Sequence, residues 1–168
     1  MNNAARGARF IGLAAALAIG LFSVAAAQDA RGPEHLSADL FPSPELSPAQ
    51  VVRIQLNALR HNDAENRGIE VAFRFASPEN KLSTGPLPRF ITMIQQGPYS
   101  LMLAYENITY APVEIVEDRA RQRVTLIGEG LVVAYEFYLS RQTDAGCMGC
   151  WMTDAVIAKR PAGLQVKS

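Results

Sequence analysis

Apolar and polar side chains alternate with a period of two along residues 123–142. This alternation is typical of half-buried β-strands, and it predicts two strands that meet at a turn formed by Glu129 and Gly130. A two-residue turn at that position pairs Val124 with Tyr135, and both belong to the apolar face of their strands. Turn chemistry and alternation therefore predict the same hairpin register.

A further strand is predicted at residues 150–159, where the phase of the alternation is ambiguous. Trp151, Ala155 and Ile157 share one face, and Met152, Asp154 and Val156 share the other. The indole ring is the largest apolar side chain available, so we expect Trp151 to point inside and Asp154 to point outside.

Upstream of these strands, apolar residues recur at helical spacing in three segments. The first, residues 47–61, opens with a capping box formed by Ser47 and Gln50. The second spans residues 68–76, and the third lies between residues 84 and 98. The apolar faces of the last two helices are too short to be stable alone, so we expect them to pack on a sheet.

Two more strands are predicted at residues 99–103 and 108–116, and Pro112 favours an edge or a bulge in the second one. Residues 119–123 are predicted to form a charged turn. Helices followed by a run of antiparallel strands define an α+β fold, in which the helices pack on one face of a curved antiparallel sheet. We expect this single domain to span residues 47–160.

The first 27 residues carry the pattern of a secretory signal peptide. Two arginines precede an uncharged apolar run that ends in three alanines, which predicts cleavage after Ala27. The alternative is an uncleaved membrane anchor, but the run is at the short limit for spanning a bilayer. We expect a periplasmic or secreted protein without stable membrane insertion after cleavage. Residues 28–46 are predicted to be a proline-containing linker, and residues 161–168 a tail.

Composition and motifs exclude several classes of function. The chain has 168 residues, of which 49% are hydrophobic and 19% are charged, and its formal net charge is zero. No basic stripe is present, so we do not expect nucleic acid as a partner. No nucleophile elbow, glycine-rich phosphate loop or H-E-x-x-H motif occurs. We therefore assign no catalytic, cofactor-binding or metal-ligating residue.

Cys147 and Cys150 form the sharpest local motif, for which three interpretations compete. A redox-active pair is usually followed by a helix that lowers the pKa of the first thiol, whereas a strand is predicted here. A zinc site needs further ligands, and the chain offers only His35 and His61. A structural disulfide at a hairpin turn suits an exported protein, and it contributes roughly 2 kcal/mol at most. We favour the disulfide.

A set of short motifs resembles a known family. The residues that carry it are Gln55-Leu56-x-Ala58-Leu59, Asn62-Asp63, Ala72-Phe73-x-Phe75-Ala76-Ser77-Pro78, Arg89-Phe90-x-x-Met93-Ile94 and Tyr99. Over residues 47–157 the chain resembles the domain-of-unknown-function family 4864, whose members are exported bacterial and plant proteins. The resemblance implies a cone-like α+β fold similar to nuclear transport factor 2-like and cystatin-like domains, and it implies no activity.

Such a cone has a concavity between the third helix and the sheet. The candidates for its lining are Phe73, Phe90, Met93, Tyr135, Trp151 and Asp154. An acid–base enzyme would need an inward acid with a raised pKa beside a donor such as a tyrosine. The acids available are Asp154 and Glu136, and the alternation places both on a solvated outer face.

We therefore expect a non-catalytic exported domain that binds a small apolar ligand or a protein partner in the concavity. The alternative is a small acid–base enzyme, of isomerase or dehydratase type, that uses the same cavity. A third hypothesis is a homodimer formed through the outer face of the sheet. Apolar area on that face is predicted to come from Val132, Ala134, Tyr138 and Val156.

Overall fold

In the part of the chain that the structure describes, five antiparallel strands form one open sheet, and the helices lie on one of its faces. The computed structural model describes residues 40–144 and 146–159, so the predicted signal peptide, most of the linker and the tail lie outside the described residues. The strands are β1 (Asn107–Tyr110), β2 (Glu114–Val116), β3 (Arg119–Gly128), β4 (Leu131–Arg141) and β5 (Trp151–Lys159). β1 and β2 lie end to end along one edge of β3, while β4 and β5 follow on the other side.

Five helices precede the strands in the described part of the chain. They are α1 (Pro48–Arg60), α2 (Arg67–Arg74), α3 (Pro78–Thr84), α4 (Leu87–Gln95) and α5 (Leu101–Ala104), with a 3-10 turn at Gly97–Tyr99. The start of α1 confirms the predicted capping box, because Gln50 N donates to Ser47 Oγ at 3.3 Å and Ser47 N donates to Gln50 Oε1 at 2.8 Å. Among the described residues, no helix combines the length and the apolarity needed to cross a membrane.

The core lies between the helices and alternate residues of the two long strands. The inward residues of β3 and β4 are Ala120, Gln122, Val124, Leu126, Val133, Tyr135, Phe137 and Leu139, and all are buried. α1 contributes Val51, Val52, Leu56 and Leu59 to the same cluster. Burial of such side chains contributes about 1.5–3 kcal/mol each, which holds the short helices on the sheet.

α2 crosses α1 at Gly68, where the two backbones approach closely. A Cβ atom added at Gly68 would collide with the carbonyl oxygen of Ala58 in α1. Only glycine, which has no Cβ atom, fits at this contact. The close approach of the two helices places the Ile69 and Ala72 side chains of α2 in the core.

The predicted hairpin is confirmed in both its turn and its register. Gly128 pairs with Leu131, and Val124 pairs with Tyr135. Glu129 and Gly130 have φ values of 53° and 71°. Two-residue hairpin turns whose twist matches that of the strands have positive φ at both residues.

Upstream of the hairpin, one helix was not predicted and one predicted strand is absent. α2 ends at Arg74, before Ser77 and Pro78, as predicted. Pro78 also starts α3, because Ser77 Oγ accepts a hydrogen bond from Asn80 N at 3.2 Å and caps the new helix. Residues 99–103 do not form a strand. They belong to the 3-10 turn and α5, and Tyr135 Oη donates to Pro98 O at 2.7 Å, which attaches this region to the sheet.

The boundaries predicted around β2 and β3 are also corrected. The strand predicted at residues 108–116 is divided at Pro112 into β1 and β2, because proline cannot donate to the ladder. The charged turn predicted at residues 119–123 is instead the beginning of β3. Its arginines alternate with buried residues and face outward, so a charge-rich segment still follows the period of a strand.

A β-bulge in β5 reverses the phase of its side chains. Tyr138 pairs with Ala155 and Leu139 pairs with Thr153, so Asp154 is the extra residue. Trp151 is 4% exposed and lies on the inner face, which confirms its predicted orientation. Beyond the bulge the prediction is wrong: Val156 faces the core, and Ala155 and Ile157 face outward.

The outer edge of β5 pairs with the connection between α2 and α3. Ser77 N donates to Thr153 O, and Thr153 N donates to Phe75 O, both at 2.9 Å. Ala76 and Thr153 thus form a parallel bridge next to the bulge. This contact fixes the start of α3 against the sheet and positions Asn80.

Candidate functional site

A cavity of about 260 Å³ lies between the helices and the β4–β5 side of the sheet. The larger aliphatic and aromatic residues of its lining include Leu59, Phe90, Met93, Ile94, Met102, Phe137 and Val156. The cavity is partly open to solvent and partly enclosed by buried side chains of the core. Ser83, which is exposed, and the half-buried Thr84 belong to the lining and lie on its solvent side.

A wider depression of about 790 Å³ runs along the exposed side of α4, from Pro88 to Tyr99. It is shallow and open to solvent, so it cannot remove a small ligand from water as the cavity can. We therefore place the candidate site in the cavity.

One wall of the cavity is a network of three buried, neutral polar side chains. Thr153 Oγ1 donates to Gln55 Oε1 at 2.7 Å. Gln55 Nε2 donates to Ala72 O at 3.0 Å, and Asn80 Nδ2 donates to Thr153 O at 2.9 Å. The network joins α1, α2, α3 and β5, so it stabilises the helices against the sheet and gives the cavity a polar end.

Asp154 belongs to the lining, but its carboxylate lies on the other side of the sheet. Ser140 Oγ donates to Asp154 Oδ1 at 2.8 Å, and Arg119 Nη1 lies 3.3 Å from Asp154 Oδ2. Ser140 and Arg119 are paired residues of the outer face. Within the described lining, no carboxylate is therefore directed into the cavity.

The residues proposed from the sequence fall into two groups. Phe90 and Met93 line the cavity. Phe73 packs beside Phe90, with ring centroids 5.1 Å apart, and is outside the lining. Tyr135 is in the core. The Trp151 ring is covered by the guanidinium of Arg141, which lies 4.9 Å from the ring centroid.

Sequence reasoning missed the polar wall formed by Gln55, Asn80 and Thr153. One signal was present, because Gln55 occupies the apolar stripe of α1, where a polar residue needs a buried partner. Asn80 lies in a helix that was not predicted, and Thr153 precedes a bulge that alternation alone does not reveal.

Glu136 lies on the outer face, as predicted, but it is not solvated. Only 11% of its side chain is exposed. Arg123 Nη2 donates to Glu136 Oε1 at 2.9 Å, and Tyr138 Oη donates to Glu136 Oε2 at 2.9 Å. The hydrogen bonds from Arg123 and then Tyr138 lower the pKa of Glu136 below its ordinary value, so it is a paired anion and not a proton donor.

The two cysteines lie at disulfide distance, with Cα atoms 5.5 Å apart. β5 begins at Trp151, directly after Cys150, so no helix N-terminus follows the pair to activate a thiol. Cys147 Sγ lies 3.6 Å from Pro42 O, which brings the end of the predicted linker against this turn. In residues 40–144 and 146–159, no group of three or more histidine, cysteine or acidic side chains is suited to hold a metal ion.

The last residues of the predicted linker also contact α2. Arg74 Nη1 donates to Leu40 O at 2.8 Å, and its guanidinium lies 4.3 Å from the centroid of the Phe41 ring. Leu40 and Leu46 pack against the core cluster. Residues 40–46 are thus part of the folded surface.

These features define an α+β domain with a partly enclosed cavity between its helices and its sheet, whose described lining directs no carboxylate inward. The model of the family described as a domain of unknown function (DUF4864) matches residues 45–165, and the chain belongs to this family. The resemblance carried by the sequence motifs is therefore confirmed. No curated protein and no solved structure gives a match, so the likeness to nuclear transport factor 2-like domains stays a prediction.

Proposed function

We propose that this protein is a non-catalytic binding domain that holds a small apolar ligand between its helices and its sheet. The observation that carries the proposal is the cavity of about 260 Å³ with mainly apolar walls. An apolar cavity of about 150 Å³ is large enough to bind benzene in other proteins. The volume here suits a larger ligand, of the size of two fused rings.

The alternative of an acid–base enzyme finds less support in the geometry. A general acid or base must reach the reacting group from inside the cavity. The carboxylate of Asp154 is instead bound by Ser140 and Arg119 on the outer face. Binding without proton transfer agrees better with this arrangement.

We further propose that the domain acts outside the cytoplasm. The signal-like pattern of the first 27 residues supports export. Cys147 and Cys150 support it as well. They lie at disulfide distance, and disulfide bonds form and persist in oxidising compartments.

Equilibrium dialysis of the purified protein against naphthalene tests the binding function. At about 0.5 kcal/mol per non-hydrogen atom, a ten-atom ligand gains about 5 kcal/mol, a Kd on the order of 0.1 mM. Ala72 lines the cavity, so we expect Ala72→Leu to weaken binding at least tenfold by occupying part of its volume. The matched control is Ala64→Leu at an exposed turn, which should bind as the unchanged protein does.

Binding at a ratio of one naphthalene per chain, lost in Ala72→Leu and retained in Ala64→Leu, is the expected result. No saturable binding by the unchanged protein, or equal binding by both variants, would contradict the proposed function. Circular dichroism of each variant provides the check that Ala72→Leu is folded.

A further inference from the structure

Asn80 carries an unused hydrogen-bond acceptor at the wall of the cavity. Its Nδ2 atom donates to Thr153 O at 2.9 Å, and a carbonyl oxygen only accepts. The amide nitrogen must therefore face the carbonyl, and Asn80 Oδ1 must point away from it. Within the described part of the chain, Oδ1 accepts no hydrogen bond.

Asn80 lies in the wall of the cavity and is almost fully buried there, since it is only 8% exposed. Among the described residues, Gln122 Oε1 is the one fully buried side-chain atom without a hydrogen-bond partner. Asn80 Oδ1 is not in that class, so it keeps accessible surface, and we assign this surface to the cavity because Asn80 lines it.

Asn80 is held rigidly, which makes it suitable for recognition. Its backbone N–H donates to Ser77 Oγ at 3.2 Å in the first turn of α3, and its amide is bound to Thr153. A side chain fixed at both ends loses little conformational freedom when a ligand binds.

The other hydroxyl groups at the wall already donate to protein acceptors. Thr84 Oγ1 donates to Asn80 O at 2.9 Å, Ser83 Oγ donates to Glu79 O at 3.1 Å, and Thr153 Oγ1 donates to Gln55 Oε1. Tyr99 Oη likewise donates to Val156 O at 3.0 Å. Within the described lining, Asn80 Oδ1 is therefore free to accept, while the hydroxyl donors are occupied.

Among the described lining residues, none directs a charge into the cavity that could balance an ionised ligand. The buried wall residues Gln55, Asn80 and Thr153 are neutral, and the carboxylate of Asp154 is bound on the outer face. An ion buried without a partner is strongly disfavoured, whereas a neutral donor that meets a free acceptor is not.

We infer that the ligand is a neutral molecule with an apolar body and one hydroxyl or N–H group, which donates a hydrogen bond to Asn80 Oδ1. This inference rests on the proposed function and narrows its ligand class. The expected ligands are alcohols, phenols and similar neutral hydrogen-bond donors. Fatty acids and other anions of the same size are expected to bind more weakly.

Equilibrium dialysis with four probes of nearly equal size tests the inference. The probes are naphthalene, 2-naphthol, 2-methoxynaphthalene and 2-naphthoate. We expect 2-naphthol to bind roughly fivefold more tightly than naphthalene, the usual effect of one net hydrogen bond. The methoxy compound has no donor and should show no such gain. We expect 2-naphthoate to bind at least tenfold more weakly than 2-naphthol, because its charge has no partner.

Asn80→Leu removes the acceptor while it keeps an apolar side chain of similar length. In this variant 2-naphthol should lose its advantage over naphthalene, while naphthalene still binds. If the variant does not fold, the comparison of the four probes in the unchanged protein decides alone. Equal binding of naphthalene and 2-naphthol would overturn the inference and leave the proposed function intact. Failure of all four probes to bind would overturn both.

Discussion

Replacement of Thr153 by valine tests the network that forms the polar wall of the cavity. Valine has nearly the same shape as threonine, so Thr153→Val removes the hydroxyl without creating a large void. Thr153 is 1% exposed, and its hydroxyl donates to Gln55 Oε1 at 2.7 Å. The substitution leaves Gln55 Oε1 without its partner in the interior.

The expected loss of stability follows from this unpaired acceptor. A buried polar group left without a hydrogen bond costs about 1–3 kcal/mol, which is more than the net contribution of the bond itself. Gln55→Met should cost a similar amount, because it leaves both Thr153 Oγ1 and Ala72 O without partners. In the Gln55→Met background, Thr153→Val should lower the free energy of unfolding by a smaller amount. The two losses of stability should therefore depart from additivity by about 1 kcal/mol.

Urea denaturation of the four proteins in this cycle measures the coupling. Thr109→Val is the matched control, since Thr109 is exposed on β1 and makes no side-chain hydrogen bond with the described residues. It should change stability by less than about 0.5 kcal/mol. If Thr153→Val costs no more than Thr109→Val, or if the costs of Thr153→Val and Gln55→Met are additive, the account of the wall is refuted.

Three other predictions concern features outside the cavity. Because the pKa of Glu136 is lowered, its ionised form contributes stability that is present above its ordinary value of 4.5 and is lost as pH falls below it. Denaturation between about pH 5 and pH 3 should therefore show a smaller loss of stability for Glu136→Gln than for the unchanged protein. Gly68→Ala should cost about 3 kcal/mol or more, since its methyl group meets the Ala58 carbonyl, and an unchanged melting temperature would contradict this contact. A thiol assay should detect Cys147 and Cys150 only after reduction, and reduction should cost less than about 2 kcal/mol.

The parts of the fold that could be predicted are those specified by neighbouring residues. The hairpin follows from a two-residue turn and the alternation on either side of it, which agree without information from elsewhere in the chain. α1 follows in the same way from Ser47, Gln50 and the apolar stripe after them. In both cases the local preference and the tertiary contacts favour the same structure.

The errors arise where distant contacts determine the structure. An apolar run such as residues 99–103 fits a strand or a buried helix, and its packing decides between the two. The bulge at Asp154 depends on the pairing of β5 with β4, which alternation within β5 does not reveal.

The polar wall could not be predicted for the same reason. Thr153 bonds to Gln55 across 98 positions and to Asn80 across 73 positions of the sequence. Each of these residues is unremarkable in its own segment, apart from Gln55 in an apolar stripe. Only the fold brings the three together next to the cavity.

The most direct test of a ligand in the cavity is an NMR titration of protein labelled at its methionine methyl groups. Met93 and Met102 line the cavity, whereas Met148 is exposed in the cysteine turn. With 2-naphthol, we expect saturable shifts of the Met93 and Met102 methyl signals and nuclear Overhauser contacts from both to the naphthol ring. The Met148 signal should not move. Contacts to Met148 alone, or no saturable shift at Met93 and Met102, would contradict a binding site between the helices and the sheet.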